Sequence, residues 1–318
     1  MKTPSSFNFL LLFFLFTARL FSQTDATNGD WKSRNVLKAN TVECDYMIRQ
    51  GDIDNLGFGW EENFNPFTGK STPSHAYPWE RDSTEILGYD MILVPSSMGT
   101  KEAPCGGEGY SGQQGALKEA FGKTVFTYKI PLAGIDTSKI KNVSLQLFVD
   151  DFQSPVICSK FDFFINGKIC PVASKSINSL NQTGPIGKLI TIKVPANFIS
   201  EFKKNEAEIF IDDSKTGAED GFAIDFIKVM INPKSFMKGN LSGVLKDEIS
   251  GKAIPNAIIE INDVKVKTDV KGAYKFTGIV AGLAVISVTA PGYPEKTFTV
   301  DIEENQSAIQ DLSINKTP

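Results

Sequence analysis

Carboxylates crowd two stretches of this 318-residue chain, and oxygen-rich clusters suit hard cations. Phe148-Val149-Asp150-Asp151-Phe152 ends one apolar run, and Phe210-Ile211-Asp212-Asp213 ends another. A loop holding Gly217, Asp220 and Gly221 follows, and Asp225 then stands inside the apolar run from Phe222 to Ile227. Acids at strand ends, with glycines to fold the loop tightly, fit an ion that takes roughly six to eight oxygen ligands. Asp225 carries most of that argument, because a charge among apolar neighbours costs several kcal/mol to bury unless it is paired or metal-bound. Strict alternation puts Asp225 on one face with Ala223 and Ile227, and Phe222, Ile224 and Phe226 on the other. A salt bridge, a turn cap or a solvated face are the alternative roles.

A second acidic element is Gly51-Asp52-Ile53-Asp54-Asn55-Leu56-Gly57-Phe58-Gly59-Trp60. Asp52 and Asp54 alternate as in a short calcium loop, but residue 63 is Asn where an EF-hand needs its twelfth-position acid. The expected metal set is therefore Asp150, Asp151, Asp212, Asp213, Asp220, Asp225, Asp52 and Asp54, with calcium as the cofactor. Trp60, Phe64, Phe67, Tyr77 and Trp79 are many aromatics for a loop-rich stretch. Exposed, Trp60, Tyr77 and Trp79 would form a stacking platform for sugar rings; buried, they are the region's own core.

Catalysis has little to work with. His75 is the single histidine, no GxSxG elbow accompanies it, and no CxxC spacing suggests zinc. A glycoside hydrolase needs only two carboxylates and stays open as an alternative, but no catalytic residue is assigned.

The elements that must position these residues read as all-β. Residues 1–23 have the form of a secretory signal peptide: Lys2, an apolar run from Phe9 to Phe16, then small and polar residues, with Arg19 as a blemish. Without it the chain carries 31 basic and 37 acidic side chains, a net charge of −6. That balance argues against nucleic acid as a partner, and no later segment is apolar enough to span a membrane. Export makes two disulfides plausible among Cys44, Cys105, Cys158 and Cys170. Cys44–Cys105 would staple the loop-rich part, whereas Cys158–Cys170 needs a bulge or longer loop, because a tight Asn166-Gly167 turn sets Cys170 opposite Phe163.

Residues 24–123 read as loop-rich, with short strands such as 91–94. Runs at 124–130, 142–148, 161–165, 189–194, 208–211 and 222–231 read as strands, with one short helix near 198–204. The whole of 24–232 is expected to be a loop-rich segment plus a jelly-roll-like β-sandwich. Residues 233–239 read as a linker, and 240–318 as a second, small sandwich.

Leu241-Ser242-Gly243-Val244 and Gly251-Lys252-Ala253-Ile254-Pro255-Asn256-Ala257 resemble the opening of carboxypeptidase regulatory-like (transthyretin-like) domains. Thr268-Asp269, then Gly272-Ala273-Tyr274-Lys275-Phe276, is similar to that family's central turn, and Ala290-Pro291-Gly292-Tyr293 to a later one. The resemblance implies a seven-stranded prealbumin-like sandwich that serves as spacer, stabiliser or weak binding module, not a peptidase. The middle sandwich is similar in outline to the jelly rolls of carbohydrate-binding modules. These readings predict an exported, non-catalytic binding or surface protein, calcium-stabilised, with polysaccharide or envelope proteins as partners. The alternative is a structural component of a bacterial envelope.

Overall fold

The computed structural model describes residues 30–75, 84–98, 105, 125–183 and 186–316. The signal-peptide reading, Tyr77 and Trp79 lie outside them. The protein is all-β, as its short alternating runs require. Two sheets form the first sandwich. One has the order β1 (Asn35–Ala39), β2 (Cys44–Gln50), β9 (Ala223–Pro233), β4 (Val143–Asp150) and β7 (Lys188–Lys193). The other has the order β3 (Thr127–Pro131), β8 (Glu206–Asp212), β5 (Asp162–Ile165) and β6 (Lys168–Ile169). From β3 onward the chain crosses between sheets at each step, apart from the β5–β6 hairpin, so neighbours in space are seldom neighbours in sequence. The core between the sheets is aliphatic and aromatic, with Leu145, Leu147, Phe163, Ile209 and Val229 all buried.

Three features depart from the alternation pattern. The nominally loop-rich part supplies two full strands of the main sheet, β1 and β2. Only an isolated bridge, Leu93 to Phe222, forms within 91–94. β2 hides its identity because it is covered on both faces, with even Arg49 fully buried. Among the described residues two α-helices also occur, α1 (Ser154–Ile157) and α2 (Pro171–Asn178), each with proline in its first turn. The stretch near 198–204 winds as a 3-10 helix, Ala196–Lys203.

The disulfide pairing is also different. Cys105 bonds Cys158, while Cys44 and Cys170 are buried thiols. Asn166 and Gly167 both take positive φ, 48° and 77°, and close a tight hairpin. Cys170 then donates its amide to Phe163 rather than approaching Cys158.

The C-terminal sandwich runs from β10 (Lys238–Asp247) to β17 (Leu312–Ile314). One sheet has the order β12 (Val264–Lys267), β11 (Ile258–Ile261), β14 (Gly282–Thr289) and β15 (Lys296–Ile302). The other places β10 between β13 (Ala273–Val280) and the parallel strands β16 (Ser307–Ile309) and β17. A single parallel pairing, Leu283 with Ile190, joins β14 to β7, so one sheet continues from the first sandwich into the second.

Candidate functional site

The outer face of the β1-β2-β9-β4-β7 sheet is covered by residues 51–75, and the chemistry concentrates there. Its anchor is a bulge in β9. Phe148 pairs with Phe226 and Val149 with Ile224, so Asp225 is the extra residue. The bulge resets the alternation: Ile224 and Ile227 both enter the sandwich core, and Phe226 packs outward with Phe148 and Phe67. Strict alternation is thereby corrected, since Asp225 does not share a face with Ile227. It is 0% exposed.

Residues 51–57 wrap that carboxylate. Gly51 has φ +81°, and a Cβ there would lie 2.1 Å from the Asp225 carbonyl oxygen, so only glycine permits the approach. The amides of Leu56 (2.9 Å) and Asp54 (3.4 Å) donate to Asp225 Oδ1, and Gly57 N donates to Asp54 Oδ1. Beside the bulge runs the 84–94 segment, tied on by Asp90 N to Ile224 O and by the Leu93–Phe222 bridge. This convergence brings one carboxylate oxygen each of Asp52, Asp54, Glu85 and Asp90 within 4.8 Å of one another. Asp225 adjoins them closely enough for its charge to act on Asp90, and Asp54 acts on both.

Electrostatics there are severe. Burial first, then the Asp54 and Glu85 charges, pushes Asp52 up to about 6, with Arg34 opposing. Burial and neighbouring acids also raise Asp90 and Asp225. Arg34 forks onto Glu85 and lies 3.8 Å from Asp52. Buried Arg49 donates to the Gly51 and Asp30 carbonyls, and desolvation lowers it to about 10 while Asp225 and Asp52 hold it up. Even so, Asp52 Oδ1, both Asp90 oxygens and Asp225 Oδ2 are buried and meet no hydrogen-bond donor.

Of the acids singled out by sequence, Asp52, Asp54 and Asp225 converge; the others lie elsewhere, among protein donors. Asp150 accepts from the Asp151 and Ile186 amides and contacts His75 Nε2 at 2.8 Å. Asp151 accepts from Gln153, Asp212 from the Ser97 amide and hydroxyl, and Asp220 from Ser159. Asp213 caps the turn at Lys215 and Thr216. Sequence reasoning missed Glu85 and Asp90, whose segment shows no pattern. Asp90's positive φ, 52°, is tolerable for an aspartate and leaves no sequence mark.

The outer side of the same 51–60 loop borders a cleft of 350 Å³. Phe58, Trp60 and Phe64 line it with Asn55, Glu61, Ser74 and His75. Trp60 is half-buried: it donates to the Ile53 carbonyl, stacks on Phe64 at 5.1 Å and meets Phe148 edge-on. Phe58, 39% exposed, stacks on His75 at 4.1 Å.

In the C-terminal sandwich, Asp269 Oδ1 accepts from the Lys271 and Ala273 amides, and Gly272 takes φ +74° against the Leu245 carbonyl. The family model of the carboxypeptidase regulatory-like domain matches residues 240–315. Residues 240–315 form a carboxypeptidase regulatory-like domain. This regulatory-like domain leans on the first sandwich. Glu304 N donates to Thr68 O, and Lys175, Lys188 and Lys193 pair with Glu295, Asp301 and Asp263. No curated protein matches the chain.

Among solved structures, similarity extends to the Bacillus anthracis TIE protein (12% identity, TM-score 0.23, 56% of this chain and 35% of that one). It extends also to a provisionally described carbohydrate-binding protein from Bacteroides uniformis (10%, 0.21, 24% and 41%). The third is the major pilin subunit BcpA of Bacillus cereus (14%, 0.23, 61% and 65%). The chain thus spans between a third and two-thirds of the length of these structures.

Proposed function

We propose that this chain is an exported, non-catalytic surface protein whose first sandwich binds a polysaccharide in the cleft beside the 51–60 loop. The observation that carries this reading is the cleft's lining: Phe58, Trp60 and Phe64 beside the polar Asn55, Glu61, Ser74 and His75. Aromatic faces pack against the C–H faces of sugar rings, while amide, carboxylate and hydroxyl groups satisfy the ring hydroxyls. The lining also weighs against hydrolysis. Glu61 is its one carboxylate among the described residues, and a glycosidase acts with two. None of the acids of the buried cluster lines this cleft.

The regulatory-like domain acts in this reading as a spacer joined to the sandwich through the β14–β7 pairing and the Glu304–Thr68 hydrogen bond, with three ion pairs alongside. The same docking supports a second reading, an assembly component of a bacterial envelope, in which the paired sandwiches are the working part.

Affinity electrophoresis of the full chain through gels containing neutral and acidic polysaccharides tests the first reading. Retardation in at least one gel is expected. Phe64→Ala and Phe58→Ala should each weaken it up to about tenfold, the scale of one lost aromatic contact. Unretarded migration in every gel, with envelope proteins recovered by cross-linking, would transfer support to the assembly role.

A further inference from the structure

We propose that Asp52, Asp54, Glu85 and Asp90, with the buried Asp225 beside them, bind one calcium ion that pins the 51–60 loop and the 84–90 segment to the bulge of β9. The first ground is geometry. Ca–O distances of about 2.3–2.6 Å put opposite ligands roughly 4.6–5.2 Å apart. Four carboxylate oxygens lying within 4.8 Å of one another therefore fit a single coordination sphere.

The second ground is what the protein leaves unsatisfied. Asp90 is 2% exposed and neither of its oxygens meets a donor; Asp225 Oδ2 and Asp52 Oδ1 are in the same position. Asp225 Oδ1 is committed to the Asp54 and Leu56 amides, which leaves Oδ2 for a cation. Burying a carboxylate without full compensation costs several kcal/mol, and four unpartnered oxygens occur here, both of Asp90 and one each of Asp52 and Asp225. Of the two guanidinium groups at hand, Arg34 forks onto Glu85 at the rim of the cluster, 3.8 Å from Asp52, and Arg49 holds two backbone carbonyls; the Asp90 oxygens and Asp225 Oδ2 still meet no donor. Five carboxylates against two guanidinium groups leave a local excess of negative charge that a divalent ion reduces.

The third ground is donor type. The cluster offers carboxylate oxygen only, without histidine or cysteine, which favours a hard ion over zinc. Many carboxylates in a flexible, irregular arrangement suit calcium; magnesium keeps several waters and takes one or two carboxylates. This site is independent of the polysaccharide reading and can be tested without any sugar.

The experiment is calorimetric titration of the EDTA-stripped full chain with CaCl2, in parallel with thermal unfolding in CaCl2, MgCl2 and EDTA. We expect one calcium per chain and a midpoint higher by about 5–10 °C at roughly 100 times the dissociation constant, with a much smaller rise in magnesium. Asp90→Asn should lose the calcium heat and the calcium rise. In EDTA it should melt no lower than the parent, because an amide of the same size replaces a buried carboxyl group that no protein donor compensates. That last result separates a metal ligand from a residue that merely supports the fold. Asp225→Asn should behave alike; if it does not fold, Asp90→Asn and the parent stoichiometry decide. Coincident melting curves with no heat, or an Asp90→Asn protein that binds calcium as the parent does, would overturn the proposal.

Discussion

The two sandwiches solve the same problem with different interiors. In the regulatory-like domain the described buried polar side chains are Asp247 and Thr268, and both are bonded: Asp247 to Ser250 and Tyr293, Thr268 to Ile254 and Ala257. Every buried side-chain oxygen or nitrogen without a partner among the described residues lies instead between Trp31 and Asp225. One fold is closed by its own atoms. The other accumulates carboxylates on the outer face of its sheet and leaves several without donors, a cost that a protein sustains when something else binds there.

The comparison can be sharpened by perturbing one unit and observing the other. The largest effect is expected from the disulfide. Cys105 and Cys158 are 53 residues apart, and opening a loop of that size releases about 4 kcal/mol of unfolded-state constraint. Replacing both with serine should lower the first sandwich's calorimetric transition and leave the regulatory-like transition in place. A single transition moving as one would show that the shared sheet makes the two units cooperate.

Next in size is Ile286→Ala, at a fully buried position of β14, which should cost about 3 kcal/mol. The loss should fall on the regulatory-like transition, with the shift produced by calcium in the first sandwich unchanged.

The smallest effect concerns acid. The Ser250 hydroxyl and amide, with the Tyr293 hydroxyl, hold Asp247 down to about 2 from 3.8. A carboxylate lowered on folding stabilises above its unfolded value, and that contribution is lost as pH falls toward the folded one. Asp247→Asn should therefore flatten the decline of the regulatory-like midpoint between about pH 4 and 2. An unchanged acid limb would show that this carboxylate is not what the domain loses in acid.

How much was legible in the sequence follows the same division. The C-terminal unit could be recognised as a sandwich from its turns, because Asp269, Gly272 and the Tyr274-Lys275-Phe276 run are local signals acting locally, whereas β16 and β17 left no such mark. The first sandwich exposed its later strands and concealed β1 and β2. Asp225 could be singled out because a charge within an apolar run needs a physical reason. Its orientation could not, since a bulge is a pairing event between β9 and β4 rather than a property of either. Local density misdirected as well: Asp150, Asp151, Asp212, Asp213 and Asp220 cluster in sequence and resolve into separate caps and pairs. Glu85 and Asp90 stand alone in sequence and meet their partners only in the fold.

The bulge has an evolutionary corollary. With Asp225 deleted, Ile224, Phe226 and Ile227 would run inward, outward, inward without a break, and each neighbour would keep the face it has now. The sandwich can be built without this residue. A lineage could drop the carboxylate and the kink together in one deletion, or keep both, but the strand offers no route by which the charge persists in place after the irregularity is repaired.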